Sequence, residues 1–462
     1  MLNDGSEPIS VNSSVLQSTD VKTLYLRVKG GFLTILPAVA VACALVVLSG
    51  CGTIGDKGHS YTDPPFDDQI RLEDLYAEAE TGSSSAMAHL GWRYDTGKGA
   101  PTNPLKASQW YQVAAAEGHS LAQNNLGCLF RDGRGVIQDY AKAAEWFRKA
   151  ARHGNDHARN NLGWLYEHGL GVPKDYTEAA MLYEFAAKDK RDAVAGKARP
   201  GHPFAQNNLG CLLRDGRGIE KDLTMAIRWF RRAAKGKNSH ALHNLGMMYE
   251  EGLGVKRDAR EAGTLYLESA TLGNVYAMNS LGWLFEKGRG TARSYEKSMH
   301  WYQQAAARGY ALAMHNVATL YRDGKGVEAD PITAAEWYEK ASHRGNAYSQ
   351  AMLAWMYENG RGVKQDFVLA AEWYRRAAMQ GLSVGQISLG LFYFHGAGVE
   401  KDLAEAYKWL LLSANNGHEK ASKYCTEIAA QLTPEQMAAA QEEVARFQAR
   451  PIHQVKHSDA GE

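Results

Sequence analysis

Apolar and small residues fall at helical spacing, over and over, from about Gly82 to Gly417. In Ala122-Gln-Asn-Asn-Leu126-Gly127-Cys-Leu-Phe130 they occupy i, i+4 and i+8, which predicts one buried face of a helix. That helix should stop at Gly133-Arg134-Gly135-Val136, because glycine tolerates the left-handed backbone that closes a helix. Asp139 follows, six residues past the first glycine, as an N-cap for a second helix. The equivalent slots hold Asn103, Asp175, Asp222, Asp258, Ser294, Asp330, Asp366 and Asp402, all with side-chain oxygens able to receive a free backbone N–H. The second helix reads Ala143-Ala-Glu-Trp146-Phe147-Arg-Lys-Ala150-Ala151 and ends at Gly154.

This unit recurs with a fixed step. Gly91, Gly127, Gly163, Gly210, Gly246 and Gly282 each follow a leucine, and Ala318, Ala354 and Gly390 continue the slot. Successive differences are 36, 36, 47, 36, 36, 36, 36 and 36, so a single step is longer, by 47 − 36 = 11 residues. Fixed periods of this size predict a stacked solenoid, whose usual work is to offer surface to a partner. The small residue after leucine predicts close approach of a neighbouring helix, since alanine at 318 and 354 rules out a need for positive φ. All eleven tryptophans lie in two columns: 92, 164, 283 and 355 on first helices, and 110, 146, 229, 301, 337, 373 and 409 on second helices. The second column is expected in the core.

The phrase A-x-x-x-L-G-x-x-Y-x-x-G-x-G-V, then D-x-x-x-A-x-x-W-Y-x-x-A-A, is carried best by the copies around Leu162, Leu245 and Leu353. It resembles the Sel-one-like repeat family, a 36-residue cousin of the tetratricopeptide repeat. The resemblance implies an all-α fold: a right-handed α/α superhelical solenoid of about nine helix-turn-helix repeats with terminal capping helices. It also implies a scaffold or adaptor in protein assemblies, serving envelope or host-contact roles in bacteria.

The ends differ from the repeats. Lys22, Arg27 and Lys29 precede an apolar run from Gly31 to Leu48 that closes on Leu48-Ser49-Gly50-Cys51. Residues 1–51 therefore resemble a bacterial lipoprotein signal, with Cys51 as the lipidated residue; an uncleaved membrane anchor is the alternative. Either places the repeats outside the cytoplasm. The stretch before Lys22 is long for a signal, so a start at Val21 or Leu24 is expected. Gly52, where an aspartate would favour the inner membrane in such lipoproteins, implies the outer membrane. Residues 52–66 read as a tether and 67–432 as the solenoid, opened by a lone helix near Asp68–Glu80. Thr433-Pro434-Glu435-Gln436 starts a capping helix over 433–449, and 450–462 read as a disordered tail. The eleven-residue surplus falls in 188–203, basic and with two prolines, and is expected to leave the stack as a loop, either a tolerated insertion or a dock for an acidic partner. Segments 122–136 and 205–219 are nearly identical, which points to duplication of a two-repeat block.

The formal charge of +1 argues against nucleic acid, which would call for a basic stripe. Of five cysteines, Cys43 and Cys51 belong to the signal, and Cys128 and Cys211 sit two repeats apart. Stacked helices at roughly 8–10 Å spacing hold those two beyond bridging distance, so no disulfide is expected. The Gly-x-Gly loops follow helices and lack a phosphate-loop lysine, and the sixteen histidines form no zinc pattern. Ser294-x-x-Lys297 has the spacing of penicillin-recognising enzymes but none of their partner motifs, and falls on an expected N-cap. With no nucleophile–base–orienter set, the expectation is a protein that is no enzyme and uses no cofactor or metal; a β-lactamase-like hydrolase is a remote alternative.

In the related tetratricopeptide fold the first helices line a concave groove. Transferring that geometry implies three groove columns. The first is Asn124, Asn160, Asn207, His243, Asn279 and His315; the second Trp92, Cys128, Trp164, Cys211, Trp283 and Trp355; the third Arg131, Glu167, Arg214, Glu250, Glu286, Arg322 and Glu358. Asparagine offers a donor and an acceptor to an extended peptide, and tryptophan supplies contact area. The adjacent column Asn125, Asn161, Asn208, Asn244 and Asn316 is expected to bond between helices instead. A protein or peptide partner is the leading expectation, and a polysaccharide or peptidoglycan stacking on the first-helix tryptophans the alternative.

Overall fold

The computed structural model describes residues 24–28, 31–35, 66, 69–191, 198–447 and 449. Two compact units divide it, Gly55–Ala277 and Met278–Glu462 taken with Met1–Ile54. In the first unit, a lone helix Leu72–Glu80 precedes five helix pairs. Their first helices are Ser84–Thr96, Ser120–Asp132, Asp156–His168, Pro203–Asp215 and Ser239–Glu251; their second are Pro104–Ala116, Tyr140–Arg152, Tyr176–Ala187, Leu223–Lys235 and Ala259–Thr271. The helix Val275–Lys287 contains the division and opens repeat 6. The second unit continues with Tyr295–Ala307, then the pairs Ala311–Asp323 with Pro331–His343, Ala347–Asn359 with Phe367–Met379, and Ser383–His395 with Leu403–Asn415. Helices Glu419–Ala429 and Pro434–Arg446 close it.

Local chemistry sets each boundary. Every expected cap, from Asn103 to Asp402, accepts a backbone N–H from the first turn of its second helix. First helices end on a left-handed glycine, as at Gly133 with φ 67°. The second glycine of each loop has a different purpose. Gly135 also has φ 67°, and a Cβ there would lie 2.1 Å from the Pro104 carbonyl oxygen, so the loop of one repeat seats on the second helix of the repeat before. The slot after leucine works as expected. A Cβ on Gly127 would meet the Phe147 ring at 2.7 Å, and one on Gly163 the Tyr183 ring at 2.9 Å, both rings being fully buried.

The core of each repeat is that aromatic ring with alanines at helical spacing, such as Ala143, Ala144, Phe147 and Ala150. The second-helix tryptophans need a correction. Trp373 and Trp409 are buried, but Trp110, Trp146, Trp229, Trp301 and Trp337 are only half-buried, at the margin of the core. A cation three residues on covers several of them, Lys149 over Trp146 at 4.0 Å and Lys340 over Trp337 at 4.7 Å.

The surplus of repeat 3 leaves the stack as Lys190–Arg191 paired antiparallel with Ala198–Arg199. Asp189 pins its base, accepting from the Gly201 N–H at 3.0 Å and pairing with Arg232. At the N-terminal end, Phe66 stacks on His89 at 4.5 Å, and Arg93 donates to the Ile70 carbonyl at 2.6 Å, so this short segment covers the first helix that no repeat precedes. At the other end the capping box of Thr433 and Gln436 forms, and Phe447 packs on Trp409 at 5.9 Å.

Leu24–Val28 and Gly31–Ile35 pair as an antiparallel hairpin, so the apolar run from Gly31 opens as a strand. Cys51, the remainder of the signal-like run and the tail 450–462 lie outside the described residues. Among the described residues no helix is long and apolar enough to cross a membrane. Cys128 and Cys425 are free and buried. Cys211 is disulfide-bonded, so the expectation of no bridge fails there.

Candidate functional site

The two asparagine columns on the first helices bond to one another. Asn161 Nδ2 donates to Asn124 Oδ1 at 3.0 Å, Asn208 to Asn160 at 3.1 Å and Asn244 to Asn207 at 2.9 Å. In the second unit Asn316 donates to Asn279 at 2.9 Å. Each rung joins one repeat to the next. Asn124, Asn160, Asn207 and Asn279 are therefore buried acceptors, and His315 is buried with its Nδ1 2.9 Å from Ser349 Oγ. This corrects the groove reading of that column: neighbouring helices already engage its amides. His243 is half-buried beside the Tyr266 and Tyr276 rings. Burial pushes the imidazoles of His243 and His315 down to about 3, so both stay neutral.

The charged column pairs in two ways. Where the slot is glutamate, the facing ring is tyrosine and donates to it: Tyr183 to Glu167 at 2.9 Å, Tyr266 to Glu250 at 2.7 Å, Tyr302 to Glu286 at 3.0 Å and Tyr374 to Glu358 at 2.7 Å. Where the slot is arginine, the next residue is aspartate and takes the guanidinium. Arg131 donates to both oxygens of Asp132, at 2.8 and 3.1 Å, and Arg214 likewise to Asp215; their facing rings, Phe147 and Phe230, have no hydroxyl. Arg322 also pairs with Asp323, at 2.7 Å, although its facing ring is Tyr338, whose hydroxyl lies 3.0 Å from Thr319 Oγ1. Arginines of the Gly-x-Gly loops reach back one repeat, Arg134 to Asp95 at 2.9 Å and Arg217 to Glu167 at 3.3 Å. Burial, with Asp132 nearby, lifts the Asp95 carboxyl to about 7.

The tryptophan column divides. Trp92 is 4 % exposed beneath Phe66, 6.0 Å away. Trp164, Trp283 and Trp355 are half-exposed. His168 lies over Trp164 at 4.5 Å, and the Arg289 guanidinium over Trp283 at 4.5 Å. Of the expected groove, these three indoles keep part of their surface exposed.

A fourth column, absent from the expected groove, lies seven residues before the tryptophan slot. In the first unit it holds Leu121, His157, Phe204 and His240, and in the second Leu312, Tyr348 and Val384, all partly exposed and Phe204 by 40 %. Seven residues are two helical turns, so His157 shares a face with Trp164, and Tyr348 with Trp355. That spacing was the available signal. A cleft of about 200 Å³ opens between Leu121 and His157, lined also by His153, Asn155 and Asp156. His157 Nδ1 lies 3.1 Å from His202 Nε2, and His202 Nδ1 accepts the Ala205 N–H, so His202 donates and His157 accepts. Ser294 Oγ accepts the Lys297 N–H at 3.2 Å, as its N-cap position predicts. Among the described residues no three His, Cys, Asp or Glu side chains gather as a metal site.

The architecture defines an α/α solenoid of short helical repeats, bonded repeat to repeat by buried amides. The Sel1 repeat profile matches residues 84–119, 120–155, 156–190, 203–238, 239–274, 275–310, 311–346, 347–382 and 383–418. The chain belongs to the Sel1 repeat family. A Sel1 repeat protein from Oxalobacter formigenes is similar at 29 % identity over 71 % of this chain and 93 % of that one, with a TM-score of 0.50. A protective antigen of uropathogenic Escherichia coli displaying an SLR fold is 28 % identical, over 85 % of this chain and 99 % of that one, with a TM-score of 0.38. A sel1 repeat protein from Klebsiella pneumoniae is 24 % identical over 47 % of this chain and 99 % of that one, with a TM-score of 0.33. No curated protein matches. The fold is one typical of protein-interaction scaffolds.

Proposed function

We propose that the chain is an adaptor of the bacterial envelope that grips a protein or peptide along the exposed edge of its first helices. One observation carries this reading. Half-exposed tryptophans share a helix face with a second partly exposed column, Trp164 with His157 and Trp355 with Tyr348, while the buried asparagines hold the repeats together. Rigid aromatic area on a fixed scaffold is what a partner's apolar side chains bury well. The cleft between Leu121 and His157 takes one such side chain. Sugar stacking is the weaker reading, because His168 and Arg289 already lie over the indoles of Trp164 and Trp283. Anchoring rests on the sequence alone: a lipid on Cys51, in the outer membrane and facing the periplasm.

The test is capture from the source cell's envelope by the full chain, lightly crosslinked and read by mass spectrometry. A discrete protein that is lost with Trp164→Ala plus Trp355→Ala, in a variant that still unfolds cooperatively, is the expected result. Capture unchanged by that pair, or glycan alone, overturns the reading. For the anchor, metabolic fatty-acid labelling should vanish in Cys51→Ser; label that persists removes the lipoprotein reading.

A further inference from the structure

Three acids of the charged column are met by a cation. Asp95 has Arg134 at 2.9 Å, Glu167 has Arg217 at 3.3 Å, and Glu286 has the Lys287 ammonium at 2.7 Å. Glu358 occupies the same slot of repeat 8, and among the described residues its side chain is held by the Tyr374 hydroxyl, at 2.7 Å, with no cation beside it. The loop residue that supplies Arg134 and Arg217 in repeats 2 and 4 is Ala397 in repeat 9. A methyl group thus stands where a guanidinium would reach back. Burial, unrelieved by any cation, raises the Glu358 carboxyl to about 7. One turn earlier on the same helix stands Trp355, half-exposed, its buried indole N–H without a hydrogen-bond partner among the described residues.

We propose that Glu358 and Trp355 receive an arginine side chain of the partner, its guanidinium taking the place on Glu358 that Arg217 takes on Glu167. Both halves of that contact are already realised within the chain: guanidinium on carboxylate at Glu167, and guanidinium over indole where Arg289 covers Trp283 at 4.5 Å. The complementarity is one of charge. Among the described residues the half-buried carboxylate, once ionised, has no counter-ion, and a partner's arginine supplies the ion pair that Asp95, Glu167 and Glu286 possess. Arginine fits better than lysine because its planar fork can face the carboxylate while its flat face meets the indole. The inference deepens the adaptor reading and rests on it.

The experiment measures binding of the capped pentapeptide Gly-Ala-Arg-Ala-Gly and its citrulline counterpart to the full chain, by tryptophan fluorescence at pH 8. The arginine peptide should bind at least about tenfold tighter, the range of a partly buried cation–carboxylate contact. Glu358→Gln should erase the preference by removing the charge, and Ala397→Arg by filling the site from within. Ala397→Arg should also raise the thermal midpoint, but not in combination with Glu358→Gln. Equal binding of the two peptides, or a preference that survives both substitutions, overturns the proposal. Envelope capture that persists without an arginine preference removes this site alone. Lost capture with the preference intact overturns the wider adaptor reading instead.

Discussion

Repeats 2 to 5 and repeats 8 and 9 use the same helix pair with different glue. In the first group, rungs of buried asparagine join each repeat to the next, at 3.0, 3.1 and 2.9 Å. In repeats 8 and 9 the same slots hold Ala351 with Met352 and Ile387 with Ser388, so contact there is largely apolar. Amides fix register, because a rung displaced by one residue strands a buried donor and an acceptor together. Apolar slots fill volume and tolerate a shift. The period is therefore a property of helix geometry and glycine placement, and either chemistry can hold it.

The largest test of that view sets Gly210 against Ala354. Gly210→Val drives a side chain into the Phe230 ring, 2.7 Å from where its Cβ would stand, and should cost about 3 kcal/mol in urea unfolding. Ala354→Gly should cost about 1 kcal/mol, the ordinary helix penalty. Next in size, Asn244→Leu strands Asn207 Oδ1 and should cost about 2 kcal/mol, whereas adding Asn207→Ala should recover part of the loss. Full additivity of those two would show that the rung carries no coupling. Asp366→Ala removes one cap and should cost about 1 kcal/mol, with little change at other repeats.

The smallest expected effect is a slope. Glu358 has its ordinary value of 4.5 raised to about 7, so its contribution to stability is full below about 4.5 and is lost as pH rises through 7. Glu358→Gln should therefore gain on the natural chain in thermal midpoint between pH 5 and 8. Buried His243 and His315 act oppositely, their contribution being present above 6.5 and lost as pH falls toward 3. A midpoint difference between the two chains that stays flat from pH 5 to 8 would show that Glu358 titrates normally.

Much of the fold was legible because its causes are local. Caps, stopping glycines and the small residue after leucine each act within one or two helices, and the residues named for them at 103–402 took those roles. The candidate site was less legible. Asn124 and Asn125 are adjacent, some 100° apart around a helix, and from the sequence one of them should point outward. A first helix lies between two others, so both directions are inside, and the outward column falls about one turn earlier at Leu121, His157 and Phe204. The exchange of Glu–Tyr for Arg–Asp–Phe was also visible, at a constant spacing of sixteen residues (183 − 167 and 147 − 131), though only the hydroxyl-to-carboxylate bond gives it meaning.

The second glycine of each loop has a consequence for how such a chain arises. Because the loop at Gly135 seats on the repeat before it, and those at Gly171, Gly218, Gly326, Gly362 and Gly398 do the same, these junctions within each unit present the same socket and the same plug. A gene segment coding for whole repeats can then be copied in place and both new joints will close without invention. The near-identity of 122–136 and 205–219 is the trace of one such copying event.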